Sequence, residues 1–177
     1  RIRQIKAWEF QSFRLRASAE DGSLVLRGDD EFSLPEGFYD VTANVSGGNA
    51  PGYYIHIEKG ASFIAAGFYN PEAHELKKIR KEIAFFHEDL EKITGDKKFK
   101  AVFLTLDQNN ALKTAPKDFE KDHPAIEFLK LKSFTGSAPL SDKEITDKDF
   151  IKNTVEKLIV AKPLNAFLRR ALDGDDN

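Results

Sequence analysis

There is no cysteine and no methionine anywhere in the 177 residues. The missing thiol excludes disulfides, thiolate nucleophiles and thiolate metal sites, and favours a reducing compartment. No stretch approaches the roughly 20 apolar residues that a membrane helix needs. The opening run, RIRQIKAWEF, lacks the apolar core of a signal peptide. The expectation is a soluble, cytoplasmic protein that does not enter a membrane. The chain begins at Arg1, as a processed, truncated or engineered chain would. Charge of one sign is lacking as well. With 27 basic and 29 acidic residues the formal net charge is −2. No global field gathers nucleic acid, so small-molecule or protein partners fit better. Standard catalytic signatures are absent too. The chain has no phosphate loop, no dinucleotide-binding glycine turn, no paired-His zinc helix and no Gly-x-Ser-x-Gly elbow. No metal site or cofactor is indicated.

What the chain does have is phenylalanine, 15 residues against a single Trp. Stiff rings dominate its apolar content. A chain of this length buries roughly 70% of the surface its unfolded form exposes, so it folds without metal or disulfide. Nothing in the pattern forces a boundary, and one α+β domain over 1–177 is expected. Its β-rich part is 1–69 and its mainly helical part 70–177.

The β-rich part alternates with period two. Phe13 and Leu15 oppose Ser12, Arg14 and Arg16 in the segment Phe10–Ala17. Asp21-Gly22 turns this run into Leu24–Arg27 as a hairpin. Pro35-Glu36-Gly37 is a second turn, Phe38–Val45 a third strand, and Gly47-Gly48-Asn49 its end. Gly52–Glu58 and Ser62–Tyr69 flank Lys59-Gly60 as another hairpin. Sequential hairpins imply an antiparallel sheet. Asn44-Val45-Ser46 matches a glycosylation sequon, a motif short enough to arise by chance.

From Asn70 the period changes. Leu76, Ile79, Ile83, Phe86, Leu90 and Ile93 form one helical stripe, with Asn70 as N-cap, Pro71 in the first turn and Gly95 as the stop. Phe99–Leu106 reads as strand or short helix, and Asp107–Asn110 as a turn. Pro124 opens a short helix through Lys132. Ser141 and Glu144 have capping-box spacing. Thr146 is expected to cap a last long helix through Val155, Leu158 and Ile159, which Pro163 breaks or kinks before Leu164, Phe167, Leu168 and Leu172.

Three constellations carry candidate chemistry. Along Tyr53–Glu58, alternation sends Tyr54, His56 and Glu58 to one face and Tyr53, Ile55 and Ile57 to the other. The second set is core. The first offers an imidazole beside a carboxylate, a pair suited to acid–base work or metal ligation. A solvated sheet face with an ion pair fits the same residues. In Asp122-His123-Pro124, the proline pushes His123 toward extended geometry and places it as the cap of the following helix. Lys113, Lys117 and Lys121, with Lys130 and Lys132, interleave with acidic Asp118, Glu120, Asp122 and Glu127. That is a charge-balanced surface rather than a basic stripe. Lys113, Lys117, Asp122 and Tyr54 are the candidate binding residues, and His56, Glu58 and His123 the candidate catalytic ones. His74 and His87 read as surface or boundary positions.

Several of these runs resemble a known family. Ala50-Pro51-Gly52-Tyr53-Tyr54-Ile55-His56-Ile57-Glu58-Lys59-Gly60 is followed by Ser62-Phe63-Ile64-Ala65-Ala66-Gly67-Phe68-Tyr69-Asn70-Pro71. Later come Leu112–Pro124, Glu127–Phe134 and Lys162-Pro163-Leu164-Asn165-Ala166-Phe167-Leu168. Together they resemble the family called domain of unknown function 2461 over about residues 50–172. The resemblance implies an α+β fold with an antiparallel sheet packed by helices, and it places His56, Glu58 and His123 within family motifs. The N-terminal third departs. Asp29, Phe32, Ser33 and Tyr39 fit the family's basic run, but its basic positions read Gly28, Glu31, Glu36 and Asp40. An anion held by those bases in relatives would not be held the same way here.

Three readings follow. The leading one is a non-catalytic binding or accessory domain. The second is a metal-assisted or acid–base hydrolase-like enzyme using His56, Glu58 and His123. The third is a protein-interaction module that exposes a sheet edge within the first 45 residues.

Overall fold

Hairpin alternation in the first half of the chain supplies five strands of the six-stranded antiparallel sheet in the computed structural model, and a segment of the second half adds the sixth. The structure describes residues 50–174 and, as strand backbone, 14–19, 22–27 and 40–44. The strands are β1 (Arg14–Ala19), β2 (Gly22–Arg27), β3 (Asp40–Asn44), β4 (Gly52–Ile57), β5 (Phe63–Phe68) and β6 (Phe134–Pro139), in the order β2-β1-β3-β4-β5-β6. Every neighbouring pair is antiparallel. β1 and β2 pair antiparallel as expected of a hairpin, but Gly22 lies in β2 opposite Ala19 and not in the turn, and Asp21 lies outside the described residues. The expected turn at Pro35-Glu36-Gly37, the break at Gly47-Gly48-Asn49 and the sequon's Val45 and Ser46 lie outside the described residues.

The β4–β5 hairpin closes through Gly60, whose φ of 75° suits the absence of a Cβ. Ser62 locks it. Its hydroxyl donates to the Glu58 carbonyl and accepts from the Glu58 N–H, at 2.7 and 2.9 Å.

The helices are α1 (Ala73–Gly95), α2 (Lys97–Phe103), α3 (Ile126–Leu129), α4 (Asp142–Ile145), α5 (Phe150–Ile159) and α6 (Lys162–Asp173). The α1 stripe is real, and Ile79, Ile83 and Leu90 are buried. Two details differ from expectation. The N-cap is Glu72, closed in a capping box with Glu75, because Asn70 takes a left-handed φ of 49° and turns the chain before the helix begins. The helix also kinks at Phe86, which leaves helical geometry at φ −129°, ψ 36°. That rotates Phe86 out of the stripe to 50% exposure. The Arg170 guanidinium covers its ring at 5.1 Å and pairs with Glu82 and Asp89 on either side.

The segment that read as strand or helix is helical in α2, capped by the Asp96 carboxylate. Ser141 and Glu144 form the expected capping box of α4. Thr146 is the C-cap of that short helix, and α5 begins one turn later at Asp149. Pro163 does not kink a long helix. It sits in the first turn of a separate one, α6, where its missing N–H is not required.

One hydrophobic cluster joins Ile64, Phe68 and Phe134 of the sheet to Ile79, Leu129, Leu164 and Phe167 of the helices. All the helices that share this cluster therefore lie on the sheet face that carries Ile64 and Phe68. Arg80 fastens α1 to the end of α3 by donating to the carbonyls of Leu129 and Leu131, at 2.8 and 3.2 Å.

Candidate functional site

The face opposite the helices is where the polar alternation of β4 emerges. Tyr53 and Ile55 pack toward the core, so Tyr54, His56 and Glu58 project the other way. His56 Nε2 lies 2.9 Å from Glu58 Oε2, with the two side chains 20% and 49% exposed. The Tyr54 and His56 rings are parallel, 6.5 Å apart. Phe63, opposite His56 in register, fits between them at 5.5 and 5.1 Å. The expected face is present, and it is an aromatic ledge with an imidazole–carboxylate pair at its end.

The same face continues across β5 into β6, where Ala65 faces Ser137 and Gly67 faces Thr135. An acidic group arrives here from outside the sheet. Leu104, at φ 57° and ψ −64°, makes a tight turn in which the Thr105 N–H donates to the Phe103 carbonyl at 2.6 Å. This is a costly conformation for a residue with a branched side chain. It redirects the chain off α2 so that the Asp107 N–H donates to the Thr135 carbonyl at 2.7 Å. Asp107 Oδ2 then accepts from both Thr135 Oγ1 and Ser137 Oγ, at 2.9 and 2.7 Å. The result is a concavity of about 500 Å³, walled by Tyr54, Phe63, Ala65 and Tyr69 and closed at its polar end by Asp107 and Ser137. Among the described residues, Asp107 is the only formally charged one in its lining.

The other candidates fall elsewhere. His123 Nδ1 accepts the Ala125 N–H at 3.0 Å, and its ring lies 6.0 Å from His87 of α1 and 6.5 Å from Phe119. It therefore belongs to the helical layer, apart from the His56–Glu58 pair. The cap of α3 is Ala125, with His123 two residues earlier. Lys113, Lys117 and Asp122 are exposed on the connection between α2 and α3 and do not line the concavity. His74 is exposed and His87 is a boundary residue, as their positions predicted. Among the described residues no cluster of three or more His, Asp or Glu side chains has the arrangement of a metal site.

Asp107, Thr135 and Ser137 escape a reading of the sequence. Asp107 sits in a turn-like run, and Gly136 and Pro139 mask β6 as a strand. Pro139 is tolerated because β6 is an outer strand.

A family model, described as conserved hypothetical protein (DUF2461), matches residues 37–167. The chain belongs to the DUF2461 family. The match takes in β4, β5, β6 and the Asp107 turn, so the concavity lies within the DUF2461 region. No curated protein and no solved structure matches the chain. No helix among the described residues is long and apolar enough to cross a membrane.

Proposed function

We propose that this DUF2461 protein is a non-catalytic binding or accessory protein, and that its ligand occupies the sheet face opposite the described helices. One observation carries the reading. A single carboxylate, Asp107, held by two hydroxyls, ends a concavity walled by rings. Pre-oriented acceptors at the end of an apolar cleft select a ligand with a flat or apolar body and an N–H or ammonium donor. Tyramine, which has a ring and an ammonium group, should shift the NMR resonances of Tyr54, Phe63 and Ser137. Para-ethylphenol, the ring alone, should bind about tenfold more weakly. Asp107→Asn should erase that preference. Equal binding of both compounds, or shifts confined to other surfaces, would rule the reading out.

The 2.9 Å His56–Glu58 pair supports a second reading, an acid–base hydrolase-like enzyme working on the same face. It requires turnover that His56→Ala abolishes in a correctly folded protein. The pair would act without His123. The position of β2 at the end of the strand order supports the third reading, a protein-docking edge. Slow amide exchange at the outward N–H groups of β2 in the isolated protein would rule that out.

A further inference from the structure

On the helical side of the sheet, a second recess separates β4 from α5 and α6. Its volume is about 330 Å³. Val155, Leu158, Ile159 and Ala166 supply an apolar wall. Ile159 is 50% exposed and extends this wall toward solvent. The opposite side is polar. Lys162, Asn165 and Arg169 recur along one face of α6 and meet Tyr53 of β4. Among the described residues the lining holds two cations and no acidic residue, and neither cation has a carboxylate partner.

Asn165 is the decisive group. It is 5% exposed. Its Nδ2 donates to the Gly52 carbonyl at 3.1 Å, which fixes the orientation of the amide because a carbonyl can only accept. Its Oδ1 is buried without a hydrogen-bond partner. A buried carbonyl oxygen without a partner costs free energy that a bound donor recovers. Arg169 is held in place by donating to the Pro51 carbonyl at 2.9 Å, which leaves further guanidinium N–H groups for a ligand. Burial pushes the Tyr53 phenol above its usual pKa, against the hydrogen bond from Asn165 and the charge of Arg169, so the ring carries a neutral hydroxyl. Two stretches 113 residues apart in the chain thus build one recess with an anion-seeking end, a buried acceptor and an apolar floor.

We infer that this recess binds an amphiphilic carboxylate with an adjacent N–H or O–H donor: the carboxylate on Arg169 and Lys162, the donor on Asn165 Oδ1, and the apolar chain along Val155 and Ile159. The site is separate from the Asp107 concavity and opposite to it in charge preference.

N-octanoylglycine has all three features, octanoate lacks the amide donor, and the N-octanoylglycine methyl ester lacks the charge. Titration of the full chain, followed by amide NMR, should show N-octanoylglycine perturbing Tyr53 and residues 155–169. Octanoate and the ester should each bind about tenfold more weakly. The exposed substitution Lys162→Gln should weaken N-octanoylglycine severalfold, and Arg169→Gln about tenfold, while binding of the ester stays unchanged. Because Arg169 also supports the 51–52 backbone, the Lys162 variant separates lost binding from lost structure. Three equal affinities would mean nonspecific apolar adsorption and would overturn the assignment. So would perturbations elsewhere, or a Lys162→Gln affinity equal to that of the unaltered chain.

Discussion

At the scale of single residues, one glycine lets two strands approach and another lets a helix approach the sheet. Gly67 adopts a φ of 124°, and a Cβ there would lie 1.9 Å from the Phe134 carbonyl oxygen. That obstacle is backbone and cannot yield. At Gly136 a Cβ would lie 2.9 Å from Phe103 Cβ, which is fixed to the α2 backbone, so relief requires α2 to shift slightly against the sheet. Gly67→Ala is therefore expected to cost at least about 3 kcal/mol and to disrupt the β5–β6 pairing. Gly136→Ala should cost about 1–3 kcal/mol and leave the fold intact. Urea denaturation of the two variants checks the order. The glycines were visible in the sequence, but the reason for each is a neighbour about 70 or about 30 residues away, which no local pattern reveals.

Elements stand or fall on their ends. The short helix α4 relies on its capping box and on the Lys157 Nζ–Glu144 Oε1 contact of 2.5 Å, which ties it to α5. The Lys157 hydrogen bond, aided by the Ser141 hydroxyl and backbone N–H, holds the Glu144 carboxyl down at about 2. A depressed carboxylate pKa stabilises the fold fully above the unfolded value of 4.5 and loses that effect as pH falls toward about 2. Glu144 is 44% exposed, so solvent screening keeps the contribution below about 1 kcal/mol. Glu144→Gln should lower the melting temperature slightly at pH 7, and the gap from the unaltered protein should close between pH 4.5 and 2. A gap that persists at pH 2 would contradict this account. The capping box could be read from Ser141 and Glu144 because it is local. The start of α5 could not, since Thr146 and Asp149 are both acceptable caps and packing against the sheet chooses between them.

For the whole molecule, stability depends on the chain's last helix lying against its first. Leu164, Phe167, Leu168 and Ala171 are buried in the common core, and Asn165 reaches back to β4. Removing α6 by ending the chain at Ala161 exposes apolar surface worth roughly 5–10 kcal/mol, comparable to the entire stability of a domain. That truncated chain should lack a cooperative thermal transition by circular dichroism. A sharp transition would show that the sheet and α1 suffice.

The sequence by itself determined what depends on neighbours along the chain. It specified the alternation that turns Tyr54, His56 and Glu58 to one side, the hairpins, the stripe of α1 and the exclusion of thiol chemistry. It also carried enough ordered motifs to place the chain in its family. Tertiary structure alone decided which side of the sheet the described helices cover, that β6 joins β5, and that Asp107 reaches Thr135 and Ser137 while His123 goes to His87. It also left Asn165 with an unmatched carbonyl. Period and spacing act over a few residues. The meeting of groups 28, 30 or 113 residues apart is set by how the apolar faces bury one another.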